Sequence, residues 1–111
     1  MNQFSDYFAS LRERQGSGLR EFCANHRFDP GNVSRLEAGK LPPPRSPEVL
    51  ARYAEALGLE PGSQEWNRFV DLAAAERGEL PPDLRSDERV ISRLPDVFRI
   101  LRQEAAATSN A

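Results

Sequence analysis

The pattern of hydrophobic and polar positions predicts a series of short helices. Apolar side chains recur every three or four positions along two early segments. These positions are Phe4, Tyr7, Phe8 and Leu11 in the first segment, and Leu19, Phe22 and Cys23 in the second. Gly16-Ser17-Gly18 separates the two segments, so we expect two helices with a break between them. Either Asn2 or Ser5 could cap the first helix.

A third helix is bounded by residues that favour helix ends. Asp29 is a good N-cap, Pro30 suits the first helical position, and Gly39 suits the C-terminal end. Phe28 and Val33 have the spacing of a hydrophobic staple across the N-terminus. The sequence therefore predicts a helix over residues 30–38, after a short turn.

The outer face of this third helix is small and polar. Val33 and Leu36 form its narrow apolar stripe. The opposite face, at 100° per residue, carries Gly31, Ser34, Arg35 and Ala38, with Asn32 on the flank. This face could lie close against a partner surface, although an ordinary solvated connecting helix is the alternative.

Two further amphipathic segments are expected to complete the bundle. Ser46 and Ser63 are their predicted caps, and the stiff, proline-rich connector 41–47 precedes the first of them. Their apolar stripes are Val49, Leu50, Tyr53, Ala54 and Leu57, and then Trp66, Phe69, Val70 and Ala73.

The remaining residues exceed what such a bundle needs. We expect Ser86 to cap a helix that Pro95 either kinks or ends, and residues 105–111 to be a frayed, disordered end. An apolar stripe follows this tail, at Val90, Ile91, Leu94, Val97, Phe98 and Leu101. The stripe must pack either on the bundle or on a second copy, and we predict that it forms a dimer interface.

Composition narrows the classes of protein. The chain has 111 residues, of which 39% are hydrophobic and 29% charged, as in globular domains. No apolar run is long enough to span a membrane, and the N-terminus lacks the features of a signal peptide, so we expect a cytoplasmic protein. A single Cys and a single His make a metal site unexpected. The sequence contains no catalytic or phosphate-loop motif, so we expect neither an enzyme nor a cofactor.

The charge is distributed unevenly. The net charge is −2, with +2 in residues 1–45 and −4 in residues 46–111. A mildly basic first part is compatible with one face that meets phosphates.

Helix order and motif together resemble a known family. The segments that carry the resemblance are Leu11-Arg-Glu-Arg-Gln-Gly16, Phe22-Cys-Ala24 and Asn32-Val-Ser-Arg-Leu-Glu-Ala-Gly-Lys40. They are similar to the lambda-repressor-like (XRE, Cro/C1-type) helix-turn-helix domain, and the similarity covers residues 4–59. It implies an all-α fold with a five-helix DNA-binding domain, which we expect over residues 1–78. The helical tail over residues 79–111 is then an extension to that domain.

The resemblance also implies roles for individual residues. The helix at 30–38 would enter the major groove of double-stranded DNA. Asn32 would pair with an adenine edge, Arg35 with guanine or phosphate, and Ser34 with phosphate or water. The full implied DNA-binding set is Arg20, Pro30, Gly31, Asn32, Ser34, Arg35, Lys40 and Arg45. Arg12 and Glu37 match positions that form a buried ion pair in the family.

The sequence departs from the family pattern at several positions. Leu19 replaces a phosphate-contacting Gln, and Gly18 replaces a Ser or Thr cap. Arg27 stands where the family has a turn glycine, after His26 in place of an apolar residue, which suggests a differently built turn. Pro30 and Gly31 stand where base-reading side chains often occur.

These observations predict a homodimeric, DNA-binding transcriptional regulator, in the simplest case an autorepressor at a partly palindromic operator. The first alternative is an antitoxin that binds its operator and also a partner protein, such as a toxin or a peptidase, through the tail. The second alternative is a protein-interaction module without DNA binding, which the acidic balance and the departures at Leu19, Pro30 and Gly31 favour.

Overall fold

The computed structural model describes residues 2–109, and the regular secondary structure in that range is entirely α-helical. The helices are α1 (Gln3–Arg14), α2 (Leu19–His26), α3 (Pro30–Glu37), α4 (Pro47–Ala56), α5 (Gln64–Glu76), α6 (Pro82–Arg85) and α7 (Glu88–Ser109). The chain forms two compact units, Met1–Leu80 and Pro81–Ala111, whose boundary lies two residues after the predicted one.

Aromatic side chains fill the core of the first unit. Phe8 is fully buried, and its ring centroid lies 6.2 Å from that of Phe22 and 5.4 Å from that of Tyr53, both edge to face. Phe4 and Phe69 join α1 to α5 with centroids 5.1 Å apart. Burial of these rings is the largest apolar contribution of the bundle. These ring contacts connect α1 to α2, α4 and α5.

The helix caps follow the sequence closely. Asn2, not Ser5, is the N-cap of α1, and the two residues form a reciprocal capping box. Ser46 and Ser63 cap α4 and α5 by accepting hydrogen bonds from the backbone N–H groups of Val49 and Trp66. Gly18 begins α2 without a side-chain cap.

The proline-rich connector is fastened to the bundle. Pro43 is buried, and its carbonyl accepts a hydrogen bond from Nη1 of Arg77 at 2.6 Å. Arg77 also lies beside Glu79, with Nε 3.6 Å from Oε1. The connector is therefore packed against the bundle over part of its length.

The second unit differs from the expectation in four respects. A short helix, α6, was not predicted. Asp87, not Ser86, precedes α7 as its cap, since its Oδ1 accepts a hydrogen bond from the Arg89 N–H at 2.9 Å. Of the two alternatives expected at Pro95, a break between two helices is wrong, because Pro95 lies inside α7. The predicted frayed end is wrong for residues 105–109, which continue α7, while residues 110 and 111 lie outside the described range.

Candidate nucleic-acid interface

The N-terminus of α3 is built by the residues that the sequence indicated. Asp29 adopts an extended conformation, and its Oδ2 accepts a hydrogen bond from the Asn32 N–H at 2.9 Å. Pro30 follows at the first helical position, where its missing N–H breaks no hydrogen bond. The first turn of α3 is therefore held in place by its own cap.

One face of α3 anchors the helix and the other is open to solvent. Val33 and Leu36 are buried in the core. Asn32, Ser34 and Arg35 are exposed. The helix therefore presents polar side chains outward from a fixed backbone, which is the arrangement needed to read a surface.

Two of the exposed side chains on α3 are joined. Nη2 of Arg35 donates a hydrogen bond to Oδ1 of Asn32 at 2.7 Å, one helical turn apart. Gly31 lies next to this pair, since a Cβ atom at that position would be 3.5 Å from Nη1 of Arg35. Sequence reasoning named all three residues but did not foresee that they are interconnected.

The turn between α2 and α3 adopts the left-handed conformation despite its arginine. Arg27 has φ 59° and ψ 45°, and the Phe28 N–H donates to the Cys23 carbonyl at 2.9 Å. The expectation of a differently built turn was therefore wrong. The turn is held by Phe28, whose ring lies 4.5 Å from that of Tyr53 and under the guanidinium of Arg52 at 5.3 Å. These contacts offset the strain of about 1 kcal/mol that a Cβ atom adds in this conformation.

Three further predicted contact residues lie on other parts of the first unit. Arg20 is exposed on the first turn of α2, and Lys40 is exposed just after α3. Arg45 is exposed on the connector, where its Nη2 lies 2.9 Å from Oε1 of Glu79. A phosphate would therefore compete with Glu79 for Arg45, whereas no such ion pair is seen for Arg20 or Lys40 within residues 2–109.

The predicted partners Arg12 and Glu37 are in contact. The pair connects α1 to the last residue of α3, and each side chain is 13% exposed. Arg12 also donates through Nη1 to the Ser17 carbonyl at 2.9 Å, a contact for which the sequence gives no signal. The hydrogen bond to Glu37 raises the pKa of Arg12, so its charge is secure.

No cluster of three or more potential metal ligands (His, Cys, Asp or Glu) occurs among residues 2–109. Cys23 is buried, and burial raises the pKa of its thiol. None of the helices described is both long enough and apolar enough to cross a membrane.

Helices α2 and α3 are short and are joined by a tight left-handed turn, and α3 has an exposed polar face. Together these features define a helix-turn-helix unit. The family model for the helix-turn-helix domain matches residues 3–66, which is more than half of the chain. The chain belongs to this family of DNA-binding domains, consistent with the lambda-repressor-like resemblance. Neither a curated protein nor a solved structure matches the chain.

Proposed function

We propose that the protein is a homodimeric transcriptional regulator that binds a partly palindromic operator and represses its own gene. The observation that carries the proposal is the polar, exposed face of the capped helix α3, within a helix-turn-helix domain. A helix of this size fits the major groove, and its N-terminal residues come nearest to the base edges.

The proposed contacts divide into two groups. Asn32 and Arg35 face base edges, and Ser34 contacts phosphate directly or through water. Arg20, Lys40 and the first turn of α2 hold the phosphate backbone. Pro30 and Gly31 contribute no hydrogen-bonding side chain, so they allow close approach of the backbone and leave few base-reading groups per protomer.

A small number of base contacts makes dimerisation important. A two-fold dimer reads two half-sites about 34 Å apart, which doubles the number of contacts. The six predicted residues of the tail stripe fall within an arc of about 120° on α7, at 100° per residue. Val97, Phe98 and Leu101 are 41%, 45% and 53% exposed in the single chain. We therefore assign this stripe to the dimer interface.

Repression would follow from steric exclusion of polymerase at the operator. The alternative role is an antitoxin, in which the same face of α7 binds a different protein. Ile91, which lies on this face, is 47% exposed, and this exposure fits either occupant. Sedimentation of the purified protein alone distinguishes the two roles, because only the first predicts a dimer without a partner.

Selection from a pool of duplexes with a randomised central segment tests the proposal directly. The expected result is enrichment of one motif in two inverted copies, at a fixed spacing. Enrichment of no motif would refute sequence-specific binding. A single asymmetric copy would retain DNA binding and refute the dimer.

A further inference from the structure

The hydrogen bond between Arg35 and Asn32 has consequences for which base this protein reads. Nη2 of Arg35 lies 2.7 Å from Oδ1 of Asn32, and both residues are exposed on α3. A guanidinium has only N–H donors, so the atom of Asn32 that faces it must be the oxygen. One of the two lone pairs of Asn32 Oδ1 is therefore engaged by Arg35 within the protein.

Adenine and guanine place different demands on a reader in the major groove. Adenine presents one acceptor and one donor, so an asparagine reads it with both its oxygen and its N–H group. Guanine presents two acceptors, N7 and O6, which a guanidinium reads with two parallel N–H groups. With its guanidinium held on Oδ1 of Asn32, Arg35 presents its remaining N–H donors, which suits guanine.

The surroundings of the pair leave space for the guanidinium beside Asn32. The backbone at Gly31 leaves room beside it, since a Cβ atom there would lie 3.1 Å from Oδ2 of Asp29 and 3.5 Å from Nη1 of Arg35. Oδ2 of Asp29 already accepts the hydrogen bond of the helix cap from the Asn32 N–H. A side chain that is held before binding loses less rotational freedom when it meets its base.

We propose that Asn32 is a positioning residue that holds Arg35 for one guanine in each half-site, and that it does not itself read adenine. This inference rests on the proposed function, because it requires a specific duplex site. It identifies a G·C pair as the base pair whose identity depends on both residues.

Four variants of the full chain test the inference, with the site first defined by selection with the wild-type protein. They are Arg35→Ala, Asn32→Ala, Asn32→Asp and the double variant Asn32→Ala/Arg35→Ala. Asn32→Asp keeps the acceptor for Arg35 but loses the amide donors. The measurement is the affinity ratio between the selected duplex and duplexes carrying each other base pair at one position. Ratios are compared because the negative charge that Asn32→Asp adds weakens binding to every duplex.

The inference predicts that Arg35→Ala lowers the preference for one G·C pair by about 5- to 150-fold, the range for a lost bidentate base contact. Asn32→Ala should lower the preference at that same pair, and the double variant should lose no more than Arg35→Ala alone, because coupled residues are not additive. Asn32→Asp should retain the wild-type preference to within about twofold, since the acceptor remains. Asn67→Ala, which removes an exposed asparagine on α5, is the control and should leave this pair unaffected.

Several outcomes would overturn the inference while leaving DNA recognition intact. One is an effect of Asn32→Ala at an A·T pair, or at a position different from that of Arg35→Ala. Another is an additive loss in the double variant, or a loss in Asn32→Asp as large as in Asn32→Ala. An unchanged base preference in the Arg35→Ala variant would also overturn the inference. If the wild-type protein selects no motif, the proposed function itself fails, and the inference with it.

Discussion

The guanidinium of Arg12 donates to both carboxylate oxygens of Glu37, with Nε 2.6 Å from Oε2 and Nη2 2.8 Å from Oε1. Its remaining nitrogen, Nη1, donates to the Ser17 carbonyl at 2.9 Å. One side chain thus joins α1, the loop before α2 and the end of α3. The orientation of α3 therefore depends on this pair as well as on its apolar stripe.

Glu37→Gln should destabilise the fold by about 1–3 kcal/mol, because the charge of Arg12 then lacks its compensating partner in a largely dry setting. Urea denaturation followed by circular dichroism measures the change in the free energy of unfolding. Glu13→Gln, at an exposed position of α1, is the matched control. Equal free energies for the two variants would contradict a structural role for the pair.

Arg27→Gly should stabilise the fold by up to about 0.5 kcal/mol, because glycine removes about 1 kcal/mol of Cβ strain at φ 59° and its entropic cost of about 0.5–1 kcal/mol offsets part of this gain. Arg27→Ala keeps the Cβ atom and should give no such gain. The midpoints of thermal unfolding of the two variants provide the comparison. If alanine stabilises as much as glycine, the side chain of Arg27, and not its backbone, is unfavourable.

Stability should depend on pH through Glu65. A side-chain hydrogen bond from Arg14 lowers the pKa of Glu65 below its ordinary value near 4.5. A lowered folded-state pKa gives a stabilisation that is present above the unfolded pKa and is lost as the pH falls through the folded pKa. The difference in melting temperature between the wild-type protein and Glu65→Gln should therefore be seen at about pH 6.5 and be smaller at about pH 3.

The control for this pH dependence is Glu60→Gln, at an exposed position outside the helices. The difference in melting temperature between Glu60→Gln and the wild-type protein should not change with pH in the same way. A difference for Glu65→Gln that persists undiminished at the lower pH would mean that the carboxylate does not provide the effect.

Leu101→Asp should weaken the proposed dimer by more than about tenfold in Kd, because each protomer loses a buried apolar side chain that contributes about 1.5–3 kcal/mol. Gln103→Asp adds the same charge on the opposite face of α7 and should leave the dimer intact. Sedimentation equilibrium of both variants and of the wild-type protein gives the Kd values. A monomeric wild-type protein, or equal effects of the two variants, would rule out the stripe as the dimer interface.

The bundle was predictable because local signals and apolar periodicity agree over residues 2–80. Asp29, Ser46 and Ser63 cap the helices that they were expected to cap, since capping depends on residues three positions apart. The contact between Arg12 and Glu37 spans 25 residues, so it was expected from family resemblance and not from local pattern.

Other features depend on tertiary context or on weak local preferences. Arg27 adopts the left-handed conformation because packing of Phe28 on Tyr53 outweighs its modest strain. Pro95 was expected either to kink the tail helix or to end it, and the second alternative is wrong, because the helix continues past this exposed position. The bond between Asn32 and Arg35 links two adjacent helical turns, and several rotamers of each residue would avoid it, so the sequence did not select this geometry.

The most direct test of the account is binding of the purified protein to the DNA upstream of its own gene. Fluorescence anisotropy at two salt concentrations, with a scrambled duplex as control, gives affinity, stoichiometry and specificity. We predict tight, salt-dependent binding to the upstream DNA, with two protomers per duplex and much weaker binding to the scrambled duplex. Equal weak binding to both duplexes, or no binding, would contradict the assignment of α3 as a sequence reader.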